Sequence, residues 1–248
     1  MNYILLSLSV LPVVVLAFFV YFKDKQDKEP LGMLLKAFLF GALSILPAVG
    51  LEMLLGAFAP AHPLWAGVYE GYVVAGFSEE LCKLLLLAWA VWKSKHFDEY
   101  FDGVVYACFV SLGFACVENI GYVFGQGDYM AALQTGGMRA VLSVPGHFLF
   151  GVAMGYYFAL ARFHSGHRGR HLLMALVAPW ALHGTYDALL MVPEYLGLDG
   201  GLLGGVLFVV FLWFDIRLWK LGTRRLRRLQ ALSQQQAQSQ LRRLDWGD

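Results

Sequence analysis

The chain has 248 residues, of which 58% are hydrophobic and only 15% are charged, and its formal net charge is +1. In a soluble domain about a quarter of the residues are charged. The composition therefore excludes an ordinary soluble domain and indicates a chain that lies mostly in lipid.

Seven segments are apolar and long enough, at about 20 residues, to cross a bilayer as a helix. In chain order they are 3–22, 31–58, 66–92, 103–124, 138–162, 171–192 and 200–220. We therefore predict an all-α, polytopic transmembrane helix bundle of about seven spans, with a membrane domain over residues 1–219. The first segment has no basic region before it, so we interpret it as a retained helix rather than a signal peptide.

Lysine and arginine are concentrated in the loops at 23–30, 93–100 and 162–171 and in the tail from residue 220. The alternate loops hold only Arg139, at the mouth of the fifth segment. Because positive loops mark the cytoplasmic side, the N-terminus is predicted outside and the C-terminus in the cytoplasm. The tail, 220–248, alternates basic pairs with leucine, which is typical of an amphipathic helix on the inner headgroups.

Ionisable residues deep in a membrane segment are costly, so by default they indicate a functional site. They are Glu79, Glu80 and Lys83 in the third segment, Glu118 beside Asn119 in the fourth, His147 in the fifth, and His183 and Asp187 in the sixth. Counted from the inner ends at about 1.5 Å per residue, those of the third, fourth and sixth segments lie about 18–25 Å deep. His147 enters from the outer side. One polar cavity, at or slightly outside the midplane, explains the shared depth.

The spacing of these residues predicts pairs. His183 and Asp187 are four residues apart on one helix face, which suits a carboxylate that orients an imidazole. Lys83 follows Glu79 by four residues and Glu80 by three, so it can neutralise either glutamate. The two glutamates point about 100° apart, so we expect one to face the cavity as a base and the other to hold the scaffold.

Three further charged residues lie near the outer ends of their segments. Glu52 and Glu70 are set aside because the membrane interface can solvate them. Arg139 can snorkel to the interface, but it lies two helical turns from His147 and is kept as a supporting residue.

In this order on successive helices, the motifs resemble the PrsW family of intramembrane proteases, which is related to the CAAX prenyl proteases. The matching residues are Glu79-Glu80-x-x-Lys83, Phe114-x-x-x-Glu118-Asn119, the lone His147 in a glycine-rich helix, and His183-x-x-x-Asp187. The resemblance covers roughly residues 25–215. It implies a multi-pass cell-membrane protein that hydrolyses a peptide bond in a membrane-anchored substrate. Site-1-type cleavage of a regulator such as an anti-sigma factor is the implied example, and a bacterial inner membrane is the expected location.

Amide hydrolysis needs an activated water, a stabiliser for the oxyanion and a proton for the leaving amine. We predict that Glu79 or Glu80 takes the proton from water, while histidine and asparagine side chains orient the water or stabilise the oxyanion. The predicted catalytic residues are Glu79, Glu80, His147, His183, Glu118 and Asn119, and the predicted supporting residues are Lys83, Asp187 and Arg139.

Participation of a metal ion stays open. His147, His183 and Glu118 offer two imidazoles and a carboxylate to a divalent metal such as zinc, with an open position for water. The sequence has no His-Glu-x-x-His motif. The resemblance to the prenyl proteases implies a metal-independent glutamate mechanism instead.

Other classes of membrane protein also bury carboxylates and histidines. A proton- or cation-coupled transporter should show inverted repeats or broken helices, and we find no convincing ones in the sequence. A b-type haem protein with His147 and His183 as axial ligands would not be expected to have two glutamates and a lysine beside the haem. A non-catalytic membrane scaffold is the remaining alternative. We expect no nucleic-acid partner, and the sequence gives no oligomeric state.

Overall fold

The computed structural model describes residues 2–25, 27–198 and 201–246, and all regular structure in these ranges is helical. Residue 200, the first of the seventh predicted segment, and residues 247–248 of the predicted tail lie outside the described residues. The α-helices are α1 (Asn2–Lys23), α2 (Leu31–Gly56), α3 (Pro63–Tyr69), α4 (Ser78–Val91), α5 (Tyr100–Phe124), α6 (Tyr129–Met138), α7 (Val144–Phe163), α8 (Arg168–Tyr195) and α9 (Leu202–Trp246).

Shorter helical segments of other types connect some of these helices. A π-helix, Glu70–Phe77, joins α3 to α4 without a break. A second π-helix, Arg139–Ser143, joins α6 to α7, and a 3-10 turn, Ser165–His167, precedes α8. Both π-helices therefore end directly before a helix that carries predicted site residues.

Within the described residues, five helical stretches are long and apolar enough to cross a membrane, and the prediction of an all-helical membrane bundle is confirmed. They are Tyr3–Lys23, Leu31–Gly56, Tyr100–Phe124, Tyr129–Phe163 and Leu202–Leu241. The two other predicted segments, 66–92 and 171–192, are helical as well and hold several of the ionisable residues. The first runs through α3, a π-helix and α4, and the second lies within α8.

Helices α1 and α2 show large apolar side chains on their outer surface. The exposed residues on α2 include Leu35, Leu39, Leu43 and Leu46, which are three or four residues apart and so form one stripe. Such a stripe is costly in water and suits contact with lipid tails.

The centre of the bundle is the crossing of α5 and α7, which glycines hold close. A Cβ on Gly155 would collide with the Gly103 carbonyl oxygen, and a Cβ on Gly151 would lie 2.9 Å from Cβ of Ser111. Small residues at such a crossing let two backbones approach. The crossing brings the polar residues of α5 within reach of those on α7.

The first π-helix crosses α8 equally closely. A Cβ on Gly76 would lie 3.1 Å from the backbone nitrogen of Gly184, and a Cβ on Gly184 would collide with the Tyr72 ring. Gly76 lies just before the start of α4, and Gly184 follows His183 directly. This close approach sets the Glu79-Glu80-x-x-Lys83 motif beside His183.

Helix α9 continues through residue 220 and packs against the N-terminal end of α5. Ser233 Oγ accepts a hydrogen bond of 2.9 Å from the Phe101 amide, and Gln236 donates to the Asp98 carbonyl at 2.7 Å. The Arg225 guanidinium lies 4.3 Å from the centre of the Tyr156 ring. The polar half of α9 is thus fixed to the rest of the bundle.

Buried carboxylates gather at this same end of the bundle. Oxygens of Asp24, Glu99 and Asp102 lie within 4.8 Å of one another, and Glu29 accepts a hydrogen bond from the Tyr106 hydroxyl. Because burial disfavours the charged form, the pKa of both Glu29 and Glu99 is raised from a usual value near 4.5 to about 7.

Candidate active site

The buried side chain of Lys83 lies at the centre of the predicted polar cavity. Lys83 Nζ lies 2.9 Å from Glu79 Oε2, 2.8 Å from Glu80 Oε1 and 3.2 Å from His147 Nδ1. It also lies 4.1 Å from the centre of the Phe114 ring. The helical spacing of the motif allows both pairs at once, so Lys83 pairs with the two glutamates together rather than with one of them.

Each histidine contacts at least one carboxylate. His147 Nε2 is 2.8 Å from Glu118 Oε2, while its Nδ1 faces Lys83. His183 Nδ1 is 3.0 Å from Glu80 Oε1, and its Nε2 is 3.1 Å from Asp187 Oδ2. The predicted His183–Asp187 pair is therefore present. A carboxylate on the far nitrogen fixes the orientation of each ring.

Arg139 and Asn119 form a supporting chain on the other side of Glu118. Arg139 Nη2 lies 2.6 Å from Glu118 Oε2, and its Nε donates to Asn119 Oδ1 at 2.8 Å. Asn119 Nδ2 donates at 2.9 Å to the Ser9 carbonyl of α1. Both polar atoms of the Asn119 side-chain amide are thus hydrogen-bonded, one to Arg139 and the other to α1.

Local backbone structure explains why Arg139 can reach Glu118. Arg139 begins the second π-helix, whose hydrogen bonds span five residues instead of four. An extra residue in a turn rotates the chain relative to α-helical counting, and Arg139 Nη2 and His147 Nε2 both contact Glu118 Oε2, at 2.6 Å and 2.8 Å. Ser111 Oγ, which the sequence did not single out, donates to the His147 carbonyl at 2.6 Å and ties α7 to α5.

Two cavities meet at the polar cluster. The larger, of about 660 Å³, lies between α2, the first π-helix and α5. The smaller, of about 290 Å³, lies between α5, the second π-helix, α7 and α8. Glu79 and Glu118 line both cavities. An extended peptide that passed from one cavity to the other would cross these two carboxylates.

The two adjacent glutamates differ in access. Glu79 is 5% exposed and lines both cavities, whereas Glu80 is 0% exposed and lines neither. Within the described residues, Glu80 Oε2 has no hydrogen-bond partner. Glu80 therefore faces the interior of the cluster, and Glu79 faces the space that a substrate can enter.

The structure brings to the site two carboxylates whose positions near segment ends predict solvation at the membrane interface instead. Glu52 and Glu70 line the larger cavity together with Glu79 and Glu118. Both are half-buried. Their positions near the segment ends did not indicate a shared cavity. The two side chains face one space because α2 packs against the first π-helix.

The cluster has the donor atoms of a metal site. Donor atoms of Glu79, Glu80, His147 and His183 lie within 4.8 Å of one another. Imidazole and carboxylate are usual zinc ligands, and a carboxylate on the outer nitrogen of each histidine is a usual second layer. The unpartnered Glu80 oxygen also fits such a group. Lys83 occupies the centre of this set, so a bound metal would have to displace its ammonium group. Glu118 contacts the outer nitrogen of His147 instead of joining the four.

Comparison with known proteins agrees with the geometry. A family model described as PrsW family intramembrane metalloprotease matches residues 29–214. Proteins named Protease PrsW from Clostridioides difficile (strain 630), Geobacillus kaustophilus (strain HTA426) and Bacillus subtilis (strain 168) are similar at 38%, 37% and 35% identity. These alignments cover 84%, 85% and 85% of the chain and 87%, 88% and 91% of the relatives. No solved structure matches the chain.

Proposed function

The chain belongs to the PrsW family of intramembrane proteases, and we propose that it cleaves a membrane-tethered regulatory protein, such as an anti-sigma factor, with a glutamate-activated water. The observation that carries the mechanism is the position of Glu79. Its carboxylate lines both cavities and lies 2.9 Å from Lys83 Nζ. Glu79 is therefore the base of the proposal, and Glu80 is the residue that holds Lys83 and His183.

The reaction is an ordinary amide hydrolysis. Glu79 accepts a proton from water, and the water oxygen forms a bond to the scissile carbonyl carbon. The tetrahedral intermediate then breaks its carbon–nitrogen bond, and a proton passes to the leaving amine. The products are a carboxylate and an amine, with one water consumed and no oxidation or reduction.

His147 and His183 are assigned to orient the water and to stabilise the oxyanion. Both rings line the smaller cavity, and both are held by carboxylates. Lys83 is fully buried, so it acts through Glu79 and Glu80 rather than on substrate. Asn119, Asp187 and Arg139 are positioning residues in this proposal.

Glu79, Glu80, His147 and His183 would hold a divalent metal such as zinc. When bound, it would polarise a carbonyl group and lower the pKa of a water molecule. Metal analysis of the purified protein, before and after chelation, tests this part of the proposal. One ion per chain that is lost in both Glu80→Gln and His183→Ala supports the metal form. Full cleavage by metal-free protein supports the glutamate-only form.

The membrane arrangement proposed here has seven crossings, an outer N-terminus and a cytoplasmic basic tail from residue 220. It is supported by the asymmetry of loop charge. The relatives come from bacteria, which supports a bacterial cell membrane. The site then lies toward the outer half of the bilayer, and cleavage occurs on the extracytoplasmic side.

Comparison of membrane proteins in cells with the wild-type chain and with Glu79→Ala tests the function. We expect a tethered protein to accumulate uncut in the variant and to be shortened near its membrane segment in the wild type. Asp128→Asn, at an exposed position that lines neither cavity, is the matched comparison and keeps the cluster intact. An identical set of fragments in wild type and Glu79→Ala would contradict the proposal.

A further inference from the structure

The two cavities differ in charge. Among the described residues, the larger cavity has the carboxylates of Glu52, Glu70, Glu79 and Glu118 in its lining and no lysine, arginine or histidine. The smaller cavity combines Asp187 and Glu194 with Arg139, His147 and His183. A positive group is therefore favoured on the larger-cavity side of the site and not on the other.

Glu52 and Glu70 have no role in the cluster that holds Lys83. In the described part of the chain, neither forms an ion pair within 4.0 Å with a basic side chain. The other lining residues of the larger cavity are mostly apolar, such as Ile45, Val49 and Phe114. Carboxylates on such a wall gain from a cationic partner more than they would in water, because the local dielectric is low.

The larger cavity is also continuous with the reacting centre. Glu79, the proposed base, and Glu118 belong to both linings, so a peptide bond held at Glu79 has flanking residues in each cavity. At about 660 Å³, the larger cavity has room for a long side chain. An aliphatic stem along the apolar wall with a charged head at Glu52 and Glu70 is the arrangement that lysine and arginine adopt.

We propose that Glu52 and Glu70 are specificity-determining residues that select a substrate with a lysine or arginine on one side of the scissile bond. The inference rests on the proposed protease function and adds the substrate class to it. The basic side chain occupies the larger cavity, and the residues on the other side of the bond occupy the smaller one.

The test uses the full-length protein in proteoliposomes and a set of membrane-tethered reporters. The set carries Lys, Gln or Glu in turn at each of the positions that flank the bond which the wild type cleaves. We expect one position, on one side of the bond, where kcat/KM for Lys exceeds that for Gln by about tenfold and Glu is cleaved more slowly still. The Lys preference should disappear in Glu52→Gln/Glu70→Gln, while the Gln reporter keeps its wild-type rate.

Two controls make the result specific. Asp128→Asn removes an exposed carboxylate that caps α6, away from both cavities, and should keep the Lys preference. Glu52→Lys should reverse the order and favour the Glu reporter. Equal cleavage of all reporters by the wild type, or an equal loss for all reporters in the double variant, would overturn the inference and leave the proposed function standing. A wild type that cleaves none of them would contradict the proposed function itself.

Discussion

Oε2 of Glu79 lies 2.9 Å from Nζ of Lys83, so the carboxylate that faces both cavities is also paired with a fully buried cation. Glu80 Oε1 shares the same ammonium at 2.8 Å. The pairing lets two adjacent carboxylates exist inside a membrane protein, because each unpaired charge there would be costly. It also holds Glu79 at the position that we propose for the base.

Lys83→Met should therefore destabilise the fold strongly. Removal of one partner leaves buried carboxylates uncompensated, and such a loss costs about 3–5 kcal/mol. Thermal unfolding in detergent measures it. Lys36→Met removes a half-buried lysine that donates to the Ala90 carbonyl and, among the described residues, pairs with no carboxylate; it is the matched comparison and should cost much less. Equal melting temperatures for Lys83→Met and wild type would contradict the central role of Lys83.

Asn119→Ala should reduce cleavage without abolishing it. The change frees Arg139 and weakens its hold on Glu118, which orients His147. Loss of such an outer partner costs about 10–100-fold in activity. Because Asn119 touches no reacting group, kcat should fall while KM stays unchanged. Asn119→Asp, which still accepts from Arg139, should recover part of the rate. A loss as complete as that of a Glu79 variant would instead mean that Asn119 acts on the substrate.

Gly184→Ala should reduce both stability and activity. The new methyl group would collide with the Tyr72 ring and force α8 away from the first π-helix. Overpacking of this kind costs about 1–3 kcal/mol, and it would move His183 away from Glu80. Gly137→Ala has open space around the new methyl group and serves as the control. A wild-type melting temperature and rate for Gly184→Ala would show that the close approach is not required.

Because of Glu29 and Glu99, the protein should be more stable at mildly acidic pH than at neutral pH. Their pKa in the folded state is about 7, above the usual value near 4.5. At a pH between these two values, the folded state therefore binds more protons than the unfolded state. Stability from these groups is highest below pH 4.5 and falls as pH rises toward 7. Neighbouring groups on the packed elements are Tyr106, Asp24, Asp98, Asp102 and Ser233.

The measurement is the melting temperature at pH 5.5 and pH 7.5. We expect it to drop by a few degrees at the higher pH in the wild type. Glu29→Gln/Glu99→Gln mimics the protonated form and should be more stable than the wild type at pH 7.5, with a smaller pH difference. An unchanged pH difference in the double variant would contradict this account.

Local spacing was enough to predict much of the site. His183–Asp187 and the two pairs of Lys83 follow from helical periodicity, and the common depth of the polar residues followed from counting along the segments. The contact of Arg139 with Glu118 could not be derived in this way, because a π-helix interrupts α-helical counting before His147. The cavity roles of Glu52 and Glu70 depend on how α2 packs against another helix, which no local pattern encodes. The polar half of α9 is held in place by individual contacts, such as that of Ser233 with Phe101. These contacts do not recur at a helical spacing, so a sequence pattern does not reveal them.

The central claim is that Glu79, rather than Glu80, activates water. It is tested most directly by the cleavage rate of a tethered reporter in proteoliposomes that contain Glu79→Gln. A general base contributes about 10²–10⁴-fold, so we predict a rate lowered at least to this extent, with reporter binding retained and the melting temperature lowered less than in Glu80→Gln. Glu80→Gln should lower the melting temperature as well as the rate, because it loosens Lys83 and His183 together. Glu79→Gln that keeps more than about a tenth of the wild-type rate would contradict the account.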